Sequence, residues 1–254
     1  MGKPGYFKRT KNLYNPSSKT PFRLSRSKVE RFLQCPRCFY LDRRLGVDQP
    51  AGFPFNLNAA VDLLLKKEFD IYRASQTPHP LMKQFGVDAV PFQHSDLDRW
   101  RENFVGIQFH HKPSGFLLTG ALDDVWINPK KELHVVDYKA TAKDGEVGIN
   151  ADWQVTYKKQ IEFYQWLLRM NGFDVSRTGY FVYLNGRKDR NTFEGRLDFK
   201  AVIIPYEGSD EWIEPVLTAA RDCLTGSSIP PVNPECEYCG YRKAASEAVK
   251  QPAD

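Results

Sequence analysis

The sequence predicts an α/β fold built on a mixed sheet. Three observations lead there. Apolar residues recur at helical spacing in the front of the chain, strand-like runs fill residues 107–139, and one long helical run separates these from two further strands. Residues 1–24, rich in Lys, Pro and Ser, read as a flexible arm. Ser27-Lys28-Val29-Glu30 has capping-box spacing and opens a helix with Val29, Phe32 and Leu33 on one face. Pro36 breaks or restarts it, and Cys38–Leu45 continues to Gly46. Leu57–Arg73 is helical through Leu57, Val61, Leu64, Leu65 and Phe69. Residues 74–95 read as loop and Asp96–Phe104 as a short helix capped near Ser95. Ile107–His111, Phe116–Ile127 and Leu133–Lys139 read as strands, the last two joined at Asn128-Pro129-Lys130-Lys131. Trp153–Met170 is a helix stopped by Asn171-Gly172. Tyr180–Leu184 and Phe199–Ile204 are strands, and Glu211–Leu224 is a last helix before a Pro- and Cys-rich segment, Ile229–Arg242. The expected organisation is the arm 1–24, one domain over 25–242 and a tail over 243–254.

Composition narrows the functional classes. At 41% hydrophobic and 26% charged, the chain has the makeup of a globular domain rather than a disordered one. No run is long and apolar enough for a membrane span, the N-terminus lacks the apolar stretch of a signal peptide, and the chain is read as cytoplasmic with no membrane partner. No GxxxxGK[ST] occurs, so no P-loop ATP site is expected. The net charge of +5 hides an asymmetry: residues 1–50 hold 12 Lys+Arg against 3 Asp+Glu, and the rest of the chain is net acidic. The first acid is Glu30, and Tyr6, Phe7, Tyr14 and Phe22 interleave with the basic residues before it. Such an arm can follow a phosphate backbone while its rings stack on bases, or it can be a merely solvated terminus.

The chemistry concentrates in residues 120–141, GALDDVWINPKKELHVVDYKAT. With the turn centred between Pro129 and Lys130, facing residues have numbers summing to about 259, and a shift of one residue brings Asp123 and Asp137 to one side. Alternation puts Asp137 and Lys139 on the same strand face. Two close carboxylates among Val125, Trp126, Val135 and Val136 repel and are desolvated unless a cation or proton offsets them. Hard oxygen ligands suit magnesium or manganese. A nearby ammonium can orient a nucleophile and neutralise charge developing on phosphate. The alternative is a surface hairpin whose Asp–Lys pairs contribute little.

The order of the neighbouring pieces decides between these. S-K-V-E-R-F-L-Q-C-P from Ser27, G-A-L-D at 120–123, V-V-D-Y-K at 135–139, Q-I-E-F-Y at 160–164 and C-E-Y-C at 236–239 together resemble the PD-(D/E)XK nuclease superfamily. Within it they resemble the RecB-like and CRISPR-associated exonuclease branch. The resemblance implies a restriction-endonuclease-like core, a mixed sheet flanked by helices, with a helical N-terminal part and a Cys-containing C-terminal tail. It implies that Asp123 and Asp137 ligate the catalytic metal with the backbone carbonyl of Tyr138. It also makes Lys139 catalytic, and has Gln160 and Tyr164 support the site or contact DNA. Asp123 is preferred to Asp124 because the family places its acid three residues after Gly120. Asp62 stands where the family often has a metal-binding His, and is either an oxygen ligand or a solvated Asp beside Lys66. Asp137 replaces the commoner Glu.

Cys35 and Cys38 form one CxxC and Cys236 and Cys239 another. Four thiolates so paired fit a tetrahedral zinc site or a 4Fe–4S cluster, the alternative being packed free thiols. In iron–sulfur members of the family one N-terminal cysteine joins three C-terminal ones; here Ala244, Ala245 and Ser246 stand where the last would be. Cys223, alone in a helix, reads as buried. The expected function is divalent-metal-dependent hydrolysis of DNA, single-stranded or at duplex ends, by a RecB-like exonuclease of repair, recombination or defence. The alternative is a catalytically inactive nucleic-acid-binding protein that keeps the fold with a zinc-type four-cysteine module.

Overall fold

The structure, a computed structural model, describes residues 8–50, Gly52 and 55–250. Tyr6 and Phe7 of the basic arm, and the last four residues of the tail, lie outside the described residues. Where the sequence reads one domain over 25–242, contacts group the chain into two compact units. The first comprises Met1–Phe53, His110–Leu118 and Glu211–Asp254; the second comprises Pro54–Phe109 and Thr119–Asp210. Among the described residues, no helix is long and apolar enough to cross a membrane.

The first unit begins with β1 (Phe22–Ser25), α1 (Arg26–Gln34) and α2 (Pro36–Leu45), and ends with α7 (Ile213–Thr225) and α8 (Glu237–Ala248). The capping box expected at Ser27 does not form. The helix starts at Arg26 with Ser25 as its N-cap, and no side chain caps it, so Ser27 falls inside the first turn. Pro36 does restart the chain as α2, which Gly46 stops at φ 78°. A side chain at Gly46 would put its Cβ 2.3 Å from the carbonyl oxygen of Arg9. That close approach reflects a docked segment: Arg9 N–H donates to Gly46 O at 2.8 Å and Tyr14 N–H to Arg43 O at 2.7 Å. The described part of the expected arm, residues 8–24, therefore carries backbone hydrogen bonds and a strand. Asp42, fully buried, accepts from Arg43 and lies 2.7 Å from the Lys28 ammonium, so its charge is paired.

The second unit contains α3 (Asn56–Ser75), α4 (Pro80–Gln84), β2 (Val90–Pro91), α5 (Leu97–Arg101), β5 (Asp124–Ile127) and β6 (Leu133–Thr141). After a 3₁₀ turn (Asp152–Gln154) come α6 (Val155–Met170), β7 (Thr178–Gly186) and β8 (Phe199–Glu207). The remaining strands are β3 (Ile107–His111) and β4 (Phe116–Gly120), which join β1 in a three-stranded sheet ordered β1-β4-β3. The larger sheet runs β2-β5-β6-β7-β8. It is mixed: β6 and β7 are parallel, with α6 as the crossover, and the other neighbours are antiparallel. This is the α/β, restriction-endonuclease-like architecture the sequence implies.

The expected loop 74–95 holds α4 and β2, and two further details of the second unit differ from the sequence reading. The expected strand Phe116–Ile127 is two strands in different sheets, interrupted at residues 121–123. At the break the backbone is closely approached by other segments. A Cβ on Gly120 would lie 2.4 Å from the Tyr164 ring, and one on Gly106 would lie 2.2 Å from the Gly120 carbonyl oxygen. The second difference concerns α3. Leu65 and Phe69 enter a core with Trp126, Val136, Tyr138 and Val182, but Leu57 and Leu64 are exposed, as is Ile71. Leu57, Leu64 and Ile71 recur every seven residues on a stripe about 100° away from the one Leu65 belongs to.

That core side of the sheet also holds a polar network. Asp124, fully buried, accepts from Arg73 and Arg101, and the Tyr138 hydroxyl donates to its Oδ2 at 2.7 Å. Asp70 accepts from both arginines in turn. Removing one member of a buried ion pair leaves the other uncompensated and costs about 3–5 kcal/mol. Asp124→Ala is therefore expected to lower unfolding free energy by about 3–5 kcal/mol in urea titrations. Asp123→Ala, at a partly exposed position, should cost about 1 kcal/mol or less.

Candidate active site and cysteine cluster

The β5–β6 hairpin pairs Asp124 with Val136, Val125 with Val135 and Ile127 with Leu133. Facing numbers thus sum to 260 rather than 259, the one-residue shift that brings Asp123 opposite Asp137. Asp123 leaves the strand just before β5 begins, and its Oδ2 accepts the Tyr138 backbone N–H at 3.0 Å. Tyr138 itself faces both ways. Its backbone serves the Asp123 side, while its phenol turns to Asp124 and the core.

Asp137 is 1% exposed, on the sheet face opposite Val136 and Tyr138. The Lys139 ammonium contacts its Oδ2, yet neither carboxylate oxygen of Asp137 has a hydrogen-bond partner of good geometry. Burial pushes the Asp137 carboxyl up to about 7, against the Lys139 charge and with the help of Asp123. For Lys139 burial works against the charge, but Asp137 and Asp123 outweigh it and hold the ammonium above its usual range. Two residues from α3 complete the group. Lys66 Nζ lies 2.8 Å from Asp62 Oδ2 and 3.6 Å from Asp123 Oδ1, bridging the two acids. Burial, then Asp123, pushes the Asp62 carboxyl up despite Lys66. Asp62 thus pairs with Lys66 on its own helix, and the same ammonium lies between it and Asp123.

Gln160 and Tyr164 lie one turn apart on α6. Gln160 is half-buried, and Tyr164 is buried with its ring against Gly120, three residues before Asp123. Tyr157 extends the same stripe by one turn, and the Lys139 ammonium sits 4.6 Å from the centre of its ring. Trp153, 62% exposed, meets Tyr157 edge to face at 5.4 Å. Lys66, Tyr157 and Trp153 were not among the sequence-predicted residues. Tyr157, at i−3 from Gln160, could have been found by extending that stripe; the second partner of Lys66 is 57 positions away and leaves no local signal.

The carboxylates gathered here, Asp62, Asp123 and Asp137, are hard oxygen donors. Buried carboxylate oxygens without hydrogen bonds are what a divalent cation such as magnesium or manganese would satisfy. The residues therefore fit a divalent metal.

The cysteines converge elsewhere, in the first unit. Cys35 Sγ lies 3.7 Å from Cys239 Sγ, and Cys38 Sγ lies 3.7 Å from Cys236 and 3.9 Å from Cys239. All four ligand atoms fall within 4.8 Å of one another, a group able to hold a metal ion or cluster. Burial pushes the Cys38 thiol up to about 12. Cys223 stays apart; it is half-buried rather than buried, its Sγ near the Pro36 carbonyl.

Residues 56–244 match the family model described as the PD-(D/E)XK nuclease superfamily. The chain belongs to that superfamily, whose members are metal-dependent, phosphodiester-hydrolysing nucleases. No curated protein matches it. A solved structure titled "Crystal structure of SSO0001" is similar at 15% identity and a TM-score of 0.36, over 89% of this chain and 86% of that one.

If the carboxylates hold a divalent ion, calorimetric titration with manganese should show binding to the intact chain. That binding should be lost in Asp137→Asn and Asp123→Asn, and weakened in Asp62→Asn. Unchanged binding in Asp137→Asn would remove this site from consideration.

Proposed function

We propose that the chain is a divalent-metal-dependent deoxyribonuclease of the RecB-like kind, acting in the cytoplasm as an exonuclease on single strands or duplex ends in repair, recombination or defence. The observation that carries this reading is the buried Asp137 carboxylate, opposed by Asp123 and touched by Lys139, in a chain of the PD-(D/E)XK superfamily. The choice of DNA and of the RecB-like branch is supported by the five ordered sequence pieces that resemble that branch.

Asp123, Asp137, Asp62 and the Tyr138 carbonyl would hold Mg²⁺ or Mn²⁺. Such an ion polarises a phosphoryl oxygen and makes water a stronger nucleophile at neutral pH. The protein's own groups would do the rest. Lys139, pinned between Asp137 and the Tyr157 ring, holds a positive charge where negative charge develops on the phosphate. Tyr157 and Gln160, on one stripe of α6, would position the strand, and Tyr164, buried against Gly120, would support the site. The exposed Trp153 indole, braced by Tyr157, offers a face on which a base could stack. The excess of basic residues in the first fifty would draw the polyanion in.

Purified protein with magnesium or manganese should shorten end-labelled linear DNA and leave closed circular DNA intact. Lys139→Ala should lower kcat by about 100-fold or more, the loss expected for one charge-stabilising group. Asp137→Ala should abolish cleavage. Equal activity in these variants would refute the assignment. Nucleic-acid binding without cleavage by the intact chain would favour the inactive, zinc-bearing binding protein. Cleavage of RNA in preference to DNA would correct the substrate.

Trp153→Ala should raise KM for single-stranded DNA by about 5–100-fold, corresponding to the loss of one stacked base, with kcat little changed. Steady-state kinetics on a labelled oligonucleotide separate the two constants.

A further inference from the structure

The sequence leaves zinc and a 4Fe–4S cluster open on the four cysteines, and their spacing does not fit the cluster. A cluster of that kind places one thiolate on each of four irons, with four sulfides between them. Its eight atoms must lie inside the thiolate tetrahedron. Here the sulfurs stand 3.7–3.9 Å apart in the three closest pairs, near van der Waals contact. A single tetrahedral ion is another matter. Zinc bonded to sulfur at about 2.3 Å gives a tetrahedron with edges of about 3.8 Å. The three closest spacings match that edge.

Both CxxC pairs also sit at helix starts. Cys35 is the N-cap residue of α2 and Cys236 that of α8, so each CxxC pair straddles a helix start. Cys38 N–H donates to Cys35 Sγ at 3.4 Å, whereas the Cys236 side chain accepts no such bond at the start of α8. The three-cysteine C-terminal pattern is replaced by this two-plus-two arrangement, and α8 simply runs on through Ala244, Ala245 and Ser246. The group contains no oxygen or nitrogen ligand, and an all-sulfur tetrahedral set selects zinc over magnesium or manganese. Its purpose is legible in α8, which buries Cys239 alone among its twelve residues. That helix has no apolar face to hold it down.

We propose that Cys35, Cys38, Cys236 and Cys239 bind one zinc ion tetrahedrally, fastening α8 to the start of α2, in place of the iron–sulfur cluster. The site is redox-silent and independent of the nuclease reading, since it shares no residue with the carboxylate group.

The test uses the intact chain, purified anaerobically without added metal so that a cluster cannot be lost to air. Elemental analysis and an assay for acid-labile sulfide should give one zinc per chain, no iron and no sulfide, in a colourless protein. Exchange of the ion for cobalt(II) should produce sulfur-to-cobalt charge-transfer bands and the intense visible bands of tetrahedral coordination. The double substitution Cys236→Ser with Cys239→Ser should reduce zinc content at least tenfold. If that variant fails to fold, the cobalt spectrum of the intact chain decides alone. Brown protein carrying iron and labile sulfide would overturn the proposal. So would an intact chain that holds neither metal and gives no tetrahedral cobalt spectrum.

Discussion

The hairpin must send two consecutive acids to opposite sides of a sheet, and the site depends on which goes where. Asp124 takes the core side, where a buried carboxylate is tolerable only with full compensation. Arg73 from α3, Arg101 from α5 and the Tyr138 hydroxyl from β6 supply it, with Asp70 balancing the second arginine. Once Asp124 is held there, the pairing with Val136 is fixed. A slip of one residue would carry a charged group out of its network and turn every apolar residue of β5 to the wrong face. Asp123 is then obliged to emerge on the other side, over the backbone of Tyr138 and opposite Asp137. The network that stabilises the fold is thus what aims the candidate ligand.

On the other side the electrostatics are left open. Asp62, Asp123 and Asp137 bring three negative charges against the two of Lys66 and Lys139. Asp137 is as buried as Asp124 but lacks its hydrogen bonds, which is why burial raises its proton affinity instead of a partner lowering it. A fold optimised only for stability would fill this position with an apolar side chain or give it an arginine. Keeping a buried carboxylate with one ammonium beside it and no hydrogen-bond partner is costly. Such costs concentrate at functional sites.

Much of this was written in local pattern. The order of helices and strands, the turn at residues 128–131, the Asp137–Lys139 face and the two CxxC pairs all follow from spacing within a few residues. What escaped depends on distant partners. Leu57 and Leu64 have helical spacing, but whether a stripe is buried depends on what packs against it, and here Leu65 and Phe69 meet the sheet instead. The strand 116–127 reads as continuous because apolar and β-branched residues fill most of it. At the interruption Gly120 is closely approached by Tyr164 and by Gly106, 44 and 14 positions away. The roles of Asp123 and Asp124 could be separated only by a motif, since both sit in the same apolar surroundings and the arginines that claim Asp124 lie elsewhere in the chain. Lys66 reads as half of an i,i+4 pair because its other partner is across the fold.

The first unit poses a different problem. It is assembled from three separate stretches of chain, and its last helix follows more than 180 residues after α2 ends. Bringing such distant segments together carries a loop-closure cost that grows only slowly with length, so the separation itself is not prohibitive. What is required is enough favourable interaction at the junction. α7 has that interaction: Ile213, Leu217, Ala220 and Leu224 are all buried along one face. α8 has a single buried residue, and it is a cysteine. A helix that cannot be held by burial must be held by bonds, and the sulfur cluster is where the cysteine side chains of α8 converge on those flanking the start of α2. The carboxylate group offers hard oxygen donors and the cysteine group soft sulfur donors, so the two groups would select different ions.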